Sequence, residues 1–279
     1  VPELRTSVDD ETNADNGNRE SLSSNTRATT ASMDERKYGW ASRLRSYLIF
    51  DPLIWAYTVV LGPISVPASW FGNRERILHG FARLWTKCIM ATIASPVKVT
   101  GLDKIDTAKT YVYAVTHASA LDIPVLFANL PFQFRIVFKK ELLSYPLIGG
   151  YLKRSGQVCI NQQTPTRSIA DIRSAVKSLK AGMPLVIFPE GGRTPDGEIK
   201  PFLPGAFYLA IKARVDIVPI ALVGTFELLP MNTYHIKSRP LEMRVGEPIS
   251  TASYGPREME QLSARVKKAM EELYYSKAS

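Results

Sequence analysis

From Pro96 onward the apolar residues fall into short runs separated by amphipathic stretches, a rhythm that predicts strands and helices in turn. The runs place strands at Val97–Thr100, Tyr111–Val115, Phe134–Phe138, Gln157–Ile160, Leu185–Phe188, Ile217–Val223 and Leu241–Val245. Helices are expected near Ile123–Asn129, Tyr145–Arg154, Arg167–Ala181 and Pro204–Ala213, with a last one from Arg257 to Tyr275. Parallel strands need crossover connections, and helices are the usual crossovers, so the alternation predicts an α/β fold. The expected architecture is a mostly parallel, mixed sheet of about seven strands with helices on both faces. Lys180-Ala181-Gly182 followed by Pro184 supplies one clean helix stop.

The pattern before Pro96 is different. Residues 52–71 carry no charge and are flanked by Arg43 and Arg45 on one side and Arg74 and Arg76 on the other. That length is enough to cross a bilayer. Gly62-Pro63 and Pro67 are expected to break the helix in its second half, and Trp55, Tyr57 and Trp70 suit the boundary between lipid and water. The stretch reads as a bent element embedded in the interface, with a true span and a buried helical hairpin as alternatives. A second stretch, residues 77–94, aligns Ile77, Phe81, Leu84, Trp85, Cys88 and Ile89 on one face, with Arg83 and Lys87 opposite. Packing on its own domain and contact with lipid both fit it. Residues 1–37 are polar and almost free of large apolar side chains, and read as a disordered tail without a secretory signal. Three regions result: the tail at 1–37, a membrane-associating helical element at 38–95, and the α/β domain at 96–279.

At 279 residues, 45% of them hydrophobic, the chain can bury a full core. Its formal charge of +9 is uneven: residues 1–37 hold five Lys and Arg against eight Asp and Glu, so the remainder carries +12. A basic domain can meet nucleic acid, an anionic membrane or a phosphorylated substrate. No RNA-binding signature, zinc finger or unbroken basic tract occurs, which argues against nucleic acid. Cys88 and Cys159 stand far apart without metal-ligand spacing, so neither a disulfide framework nor a zinc site is expected, and both read as reduced and buried.

Candidate chemistry begins with His117 and Asp122 in Thr116-His117-Ala118-Ser119-Ala120-Leu121-Asp122, directly after an apolar run. On one straight helix a spacing of five would set them about 140° apart, so His117 is expected in the turn before the helix. Asp122, followed by Ile123-Pro124, fits a helix cap. It could cap with one oxygen and hold the imidazole Nδ1–H with the other, leaving Nε2 free to take a proton. The second constellation is Phe188-Pro189-Glu190-Gly191-Gly192-Arg193-Thr194, also directly after an apolar run. Ligand crevices lie at the carboxyl ends of strands in such sheets. Two glycines would let backbone N–H groups approach an oxyanion, and Arg193 would add a forked cation suited to phosphate; a tight turn with a surface arginine is the plainer alternative.

With these two blocks in order, the chain resembles the glycerolipid acyltransferase family, specifically the 1-acylglycerol-3-phosphate (lysophosphatidic acid) acyltransferases. His117 to Asp122 is similar to the family's first block, Asn-His-x4-Asp, and Phe188 to Arg193 to its third, Phe-Pro-Glu-Gly-Thr-Arg. Val218-Pro219-Ile220 looks like its fourth. The resemblance covers roughly residues 96–250, and the preceding apolar element is similar to the family's membrane-binding N-terminus. It implies acyl transfer from acyl-CoA or acyl-carrier protein to lysophosphatidic acid, giving phosphatidic acid, with His117 as base and Asp122 orienting it. Glu190, Gly191, Gly192 and Arg193 would hold the phosphate, with Lys139 as a further candidate; a solvated lysine pair fits Lys139-Lys140 equally well. No cofactor or metal is implied beyond the acyl donor. The implied partners are a lipid membrane, the lysophospholipid and the donor, with the site facing the cytoplasm.

Three positions depart from the family pattern. Thr116 stands where Asn is usual, Gly192 where Thr is usual, and Asn161-Gln162 where the second block ends in arginine. The last leaves the phosphate grip short of one cation. It keeps open another acceptor, such as an uncharged or amino-acid-headed lysolipid or glycerol 3-phosphate, and a catalytically silent membrane-binding relative.

Overall fold

The computed structural model describes residues 39–145, 148–160, 165–203 and 205–276. The expected tail at 1–37 and the Asn161-Gln162 departure lie outside the described residues. Seven strands form one sheet: β1 (Val97–Thr100), β2 (Val112–Val115), β3 (Arg135–Lys139), β4 (Val158–Ile160), β5 (Leu185–Ile187), β6 (Ile217–Val223) and β7 (Leu241–Val245). Their order is β1-β7-β6-β2-β5-β3-β4. β2 to β6 all run parallel, while β7 pairs antiparallel with β6 and carries β1 parallel to itself. This is the mostly parallel mixed sheet expected from the run pattern, and β2, at its centre, is buried along its whole length.

The helices are α1 (Trp40–Ala68), α2 (Arg74–Thr92), α3 (Asp122–Asn129), α4 (Ile148–Arg154), α5 (Pro165–Lys180), α6 (Gly205–Ala213), the single turn α7 (Thr225–Leu228) and α8 (Met259–Tyr275). Side chains on a strand alternate between faces, and β2 sorts its own accordingly. Tyr113 and Val115 join one apolar cluster with Ile89 and Met90 of α2 and Val125 and Leu126 of α3. Val112 and Ala114 join the other, with Leu179 of α5, Phe207 of α6 and Val266 and Met270 of α8. Each fully buried large aliphatic chain contributes roughly 1.5–3 kcal/mol.

Two expectations for the N-terminal region need correction. The helix was expected to break at Gly62-Pro63 and Pro67, yet α1 runs on from Trp40 to Ala68 with both prolines inside it. Each proline costs the helix one bond, to the Val59 and Pro63 carbonyls respectively, while Ser65 Oγ donates to the Gly62 carbonyl at 2.7 Å and Ser69 Oγ to that of Val66 at 2.6 Å, and the helix persists on its remaining ladder. The ladder widens instead at Ser46–Phe50, a π-helical turn just ahead of Pro52, where the ring would otherwise press on the carbonyl of Leu48. The buried face of α2 is also rotated from the expected one. It is made by Leu78, His79, Ala82, Thr86, Ile89 and Met90, whereas Leu84 is half exposed. The larger apolar residues turn toward α1, where Trp85 Nε1 donates to Thr58 Oγ1 at 3.0 Å. Arg83, expected on the polar face, donates to the carbonyls of Phe127 and Leu130 at the end of α3, where a cation is favoured by the helix dipole.

Only 11% of the most apolar window of α1 is buried, and the helix is long and apolar enough to cross a membrane. Leu48, Ile49, Trp55, Val59, Val60 and Ile64 are exposed along it, and Trp70 and Phe71 beyond its end. Cys88 and Cys159 are free, and partly buried rather than fully so.

Candidate active site

The carboxyl ends of β2, β5 and β3 converge at the middle of the sheet, and the two chemical blocks extend from the first two of them. β2 ends with its ladder prolonged by a side chain. Thr116 N–H donates to the Ile220 carbonyl at 3.2 Å, and Leu222 N–H donates to Thr116 Oγ1 at 2.9 Å. The threonine hydroxyl thus stands in for the next backbone carbonyl as the chain leaves the sheet. Val218-Pro219-Ile220 lies beside this point in β6, in register with Tyr113, Ala114 and Val115.

His117 follows in the turn, and Asp122 is the first residue of α3. Asp122 Oδ2 accepts from His117 Nδ1 at 2.9 Å, and also from the N–H groups of Ala118 and Ser119, each at 2.8 Å. The expected division of labour between the two carboxylate oxygens is therefore wrong. One oxygen takes all three donors, and Oδ1 is buried without a hydrogen-bond partner. The physical reason is direction: the carboxylate reaches back into the preceding turn, while Leu121 occupies the cap position of α3. A carboxylate only accepts, so Nδ1 carries the proton and Nε2 is the nitrogen left unprotonated. The carboxylate is fully buried, the imidazole keeps 17% of its side-chain surface exposed, and its ring stacks on Phe188 at 4.0 Å. A second bond closes the turn, from Ser119 Oγ to the Leu229 carbonyl at 2.9 Å.

The turn after β5 is tied to this histidine through main chain. Glu190 Oε1 accepts His117 N–H at 2.8 Å, Glu190 Oε2 accepts Lys200 N–H at 3.1 Å, and Thr194 N–H donates to the His117 carbonyl at 2.9 Å. The Glu190 carboxylate is buried, which pushes its pKa up, and the amides of His117 and Lys200 pull it back. It faces the protein interior rather than the crevice. Gly191, at φ +70°, closes the turn by donating to the Phe188 carbonyl at 3.0 Å, so its N–H is already used. Gly192 has an open α-carbon: a Cβ there would lie 3.9 Å from both Lys139 Nζ and Lys200 Nζ. Arg193 is half-buried beside it.

The sequence-derived set His117, Asp122, Glu190, Gly191, Gly192, Arg193 and Lys139 is thus gathered at one edge of the sheet. Lys200 was missed. Its only signal is its place in the loop that leaves this block, ten residues beyond Glu190, and that spacing acquires meaning only when the loop folds back. Chemically, the arrangement pairs an oriented imidazole having a free Nε2 with a cluster of cations.

An oriented imidazole near lysine ammonium groups at the carboxyl edge of a mostly parallel sheet places a proton acceptor next to a site suited to an anion. Residues 96–223 match the family model described as Acyltransferase. It is 28% identical over 189 residues to the 1-acyl-sn-glycerol-3-phosphate acyltransferase of Cocos nucifera, covering 67% of this chain and 60% of that protein. It is 31% identical over 157 residues to the protein of the same description from Limnanthes douglasii, covering 56% of this chain and 55% of that one. A 1-acyl-sn-glycerol-3-phosphate acyltransferase alpha of Homo sapiens is 28% identical over 215 residues, covering 77% and 76%. The chain thus spans somewhat over half the length of the plant relatives. The fold is shared with the 1-acyl-sn-glycerophosphate (LPA) acyltransferase PlsC from Thermotoga maritima, at a TM-score of 0.71 and 23% identity over 85% of this chain and 98% of that one.

Proposed function

We propose that the chain transfers an acyl group from an acyl thioester to the free hydroxyl of lysophosphatidic acid, giving phosphatidic acid. The observation carrying this reading is the pairing of His117 Nδ1 with a buried Asp122, tied by the Thr194 N–H to the turn that Lys139 and Lys200 flank. The acceptor hydroxyl gives its proton to His117 Nε2 as its oxygen attacks the thioester carbonyl. The tetrahedral intermediate then expels the thiolate, which takes the proton back from the imidazolium to leave as a free thiol. No protein nucleophile is needed. Asp122 keeps the ring in the reactive tautomer and favours the imidazolium while it lasts. Arg193 and Lys139 hold the headgroup phosphate, and Glu190 acts indirectly, by bracing the turn that carries His117.

Acyl-CoA or acyl-carrier protein serves as donor. The exposed apolar side chains of α1, with Trp70 and Phe71, associate with a lipid membrane from which a lysolipid can enter the site. On this reading residues 38–95 are the membrane-associating element and the site opens toward the cytoplasm.

Purified protein in detergent, supplied with labelled acyl-CoA and a panel of lysolipids, tests the proposal. Transfer to lysophosphatidic acid that disappears in His117→Ala supports it. Transfer only to acceptors without phosphate would replace it with the lysolipid alternative, and no transfer to any acceptor would leave the silent relative.

A further inference from the structure

The cationic turn holds one more charge than its motif suggests. Lys200 donates its N–H to Glu190 Oε2 at 3.1 Å and its ammonium to the Arg193 carbonyl at 3.2 Å. The first bond fixes the main chain and the second draws the side chain back over the turn, so this ammonium is held rather than free to sweep solvent. Its direction follows from Gly192, where a built Cβ would meet Lys139 Nζ and Lys200 Nζ at the same 3.9 Å. One cation from the end of β3 and one from the loop therefore flank the same bare α-carbon, with Arg193 next along the chain.

Among the described residues no carboxylate forms an ion pair with Lys139, Arg193 or Lys200. Glu190 is close enough to act on Lys200 electrostatically, but both its oxygens accept main-chain amides. The two lysine ammonium groups converging on Gly192, with one buried carboxylate behind them, repel one another, and an anion placed between them relieves that repulsion. Two point-charge ammonium groups and one forked guanidinium suit an anion offering several oxygens and more than one negative charge.

We propose that Lys200, with Lys139 and Arg193, grips a phosphate dianion and is a specificity-determining residue for a phosphate-headed acceptor. This rests on the acyl-transfer reading and deepens it by supplying a cation that the sequence motifs do not. Glu190 gives the grip its register. One carboxylate oxygen holds the amide of the base and the other the amide of Lys200, so the site for the reacting hydroxyl and the site for the phosphate are braced against each other. The phosphates of coenzyme A offer similar chemistry, so the two sources must be separated.

The test is steady-state kinetics of the full chain, Lys200→Met and Lys200→Arg in detergent micelles. Lysophosphatidic acid is varied at saturating acyl-CoA, and acyl-CoA at saturating acceptor. Methionine keeps the length of the side chain and leaves the Lys200 amide to Glu190 intact. Lys200→Met is expected to raise KM for lysophosphatidic acid about tenfold or more, with KM for acyl-CoA and the melting temperature near those of the unaltered chain, and Lys200→Arg to recover most of the loss. A rise confined to the KM for acyl-CoA would assign the cation to the donor and overturn the proposal. A fall in kcat and melting temperature together, without a change in KM, would mark a structural role and also overturn it. If the unaltered chain acylates lysophosphatidic acid and Lys200→Met matches it in KM, the Lys200 proposal alone fails. If the unaltered chain does not acylate it, the acyl-transfer reading fails first.

Discussion

The two halves of the site are built in opposite ways. Around His117 every constraint is a short hydrogen bond: three donors converge on one oxygen of Asp122, while the Glu190 carboxylate accepts the His117 N–H and the Thr194 N–H donates to the His117 carbonyl, fixing the backbone of the histidine itself. Around Gly192 the charged ends come from separate segments, β3 and the loop after β5, and among the described residues only one of them, Lys200, is held by a hydrogen bond, to the Arg193 carbonyl. The contrast follows from what each half must do. A base has to stand within hydrogen-bond reach of one proton, about 2.6–3.2 Å between heavy atoms, whereas a phosphate can be held by several long cations that adjust to it. Damage to the first half should therefore appear in kcat, and damage to the second in KM.

His117→Ala should have the largest effect. Removing the base is expected to lower kcat by about 10²–10⁴-fold with little change in KM, as measured with labelled acyl-CoA. A comparable rise in KM at unchanged kcat would erase the division between the halves. Asp122→Asn comes next, because asparagine can place its carbonyl oxygen where Oδ2 now accepts three donors and put its amide at the partnerless Oδ1 position. Tautomer and fold are kept while the charge is lost. A fall in kcat of about 10- to 100-fold at near-normal melting temperature is expected, since only the charge-assisted part of the bond disappears. Normal kcat would show that Asp122 only orients the ring.

The packing of α2 on α3 carries a consequence for stability. His79 of α2 is buried against Phe127 of α3 and against Phe134, and burial, with Arg83 nearby, lowers its pKa from 6.5 to about 4. Between those two values the unfolded chain binds a proton that the folded chain refuses, so stability is complete above about pH 6.5 and falls as pH drops toward 4. The loss should reach about 2 kcal/mol at pH 5. Denaturant melts of the unaltered chain and His79→Leu at pH 5 and pH 7.5 check it. The variant should lose less stability on acidification, and identical losses would remove His79 as the cause.

Much of this arrangement was legible in the chain. Short apolar runs gave seven strands with ends within a residue or two, because a strand buried on both faces needs an unbroken run and has little freedom in where it stops. The approach of the turn after β5 to His117 was legible for a related reason: both follow such runs, and neighbouring parallel strands bring their carboxyl ends to one edge. What was not legible depended on partners distant in sequence. Pro63 and Pro67 predict a break only if the rest of the ladder cannot hold the helix, and α1 continues through both. The face that α2 buries was misjudged because two neighbours, α1 and α3, compete for its apolar side chains. The inward turn of Glu190 and the approach of Lys200 depend on a loop closing back on itself, which no local pattern announces.

Arg193→Ala probes the open half. The loss of one charge-assisted contact, about 1.5–3 kcal/mol, should raise KM for lysophosphatidic acid about tenfold or more, while kcat stays close to that of the unaltered chain. An unchanged KM would take Arg193 out of the phosphate grip and leave Lys139 and Lys200 to carry it. A collapse of kcat instead would mean that the cations also hold the hydroxyl at the base, so that the two halves are less separate than their construction suggests.

The smallest effect separates two adjacent glycines in that same turn. Gly191 adopts a left-handed conformation at φ +70°, and a Cβ there would collide with Leu203 Cδ1. Gly192 lies outside that region, and its Cβ would make only ordinary contacts at 3.9 Å. Gly191→Ala should therefore cost about 1–2 kcal/mol of stability, partly relieved because Leu203 is exposed at 45% and its tip can move. Gly192→Ala should melt within about 0.5 kcal/mol of the unaltered chain. Equal melting temperatures for the two variants would show that the turn relaxes freely around Gly191. The phosphate half would then be soft in its backbone as well as in its side chains. A loss confined to Gly191→Ala would mean that the backbone is fixed on both sides of the site and that only the cations are free to adjust.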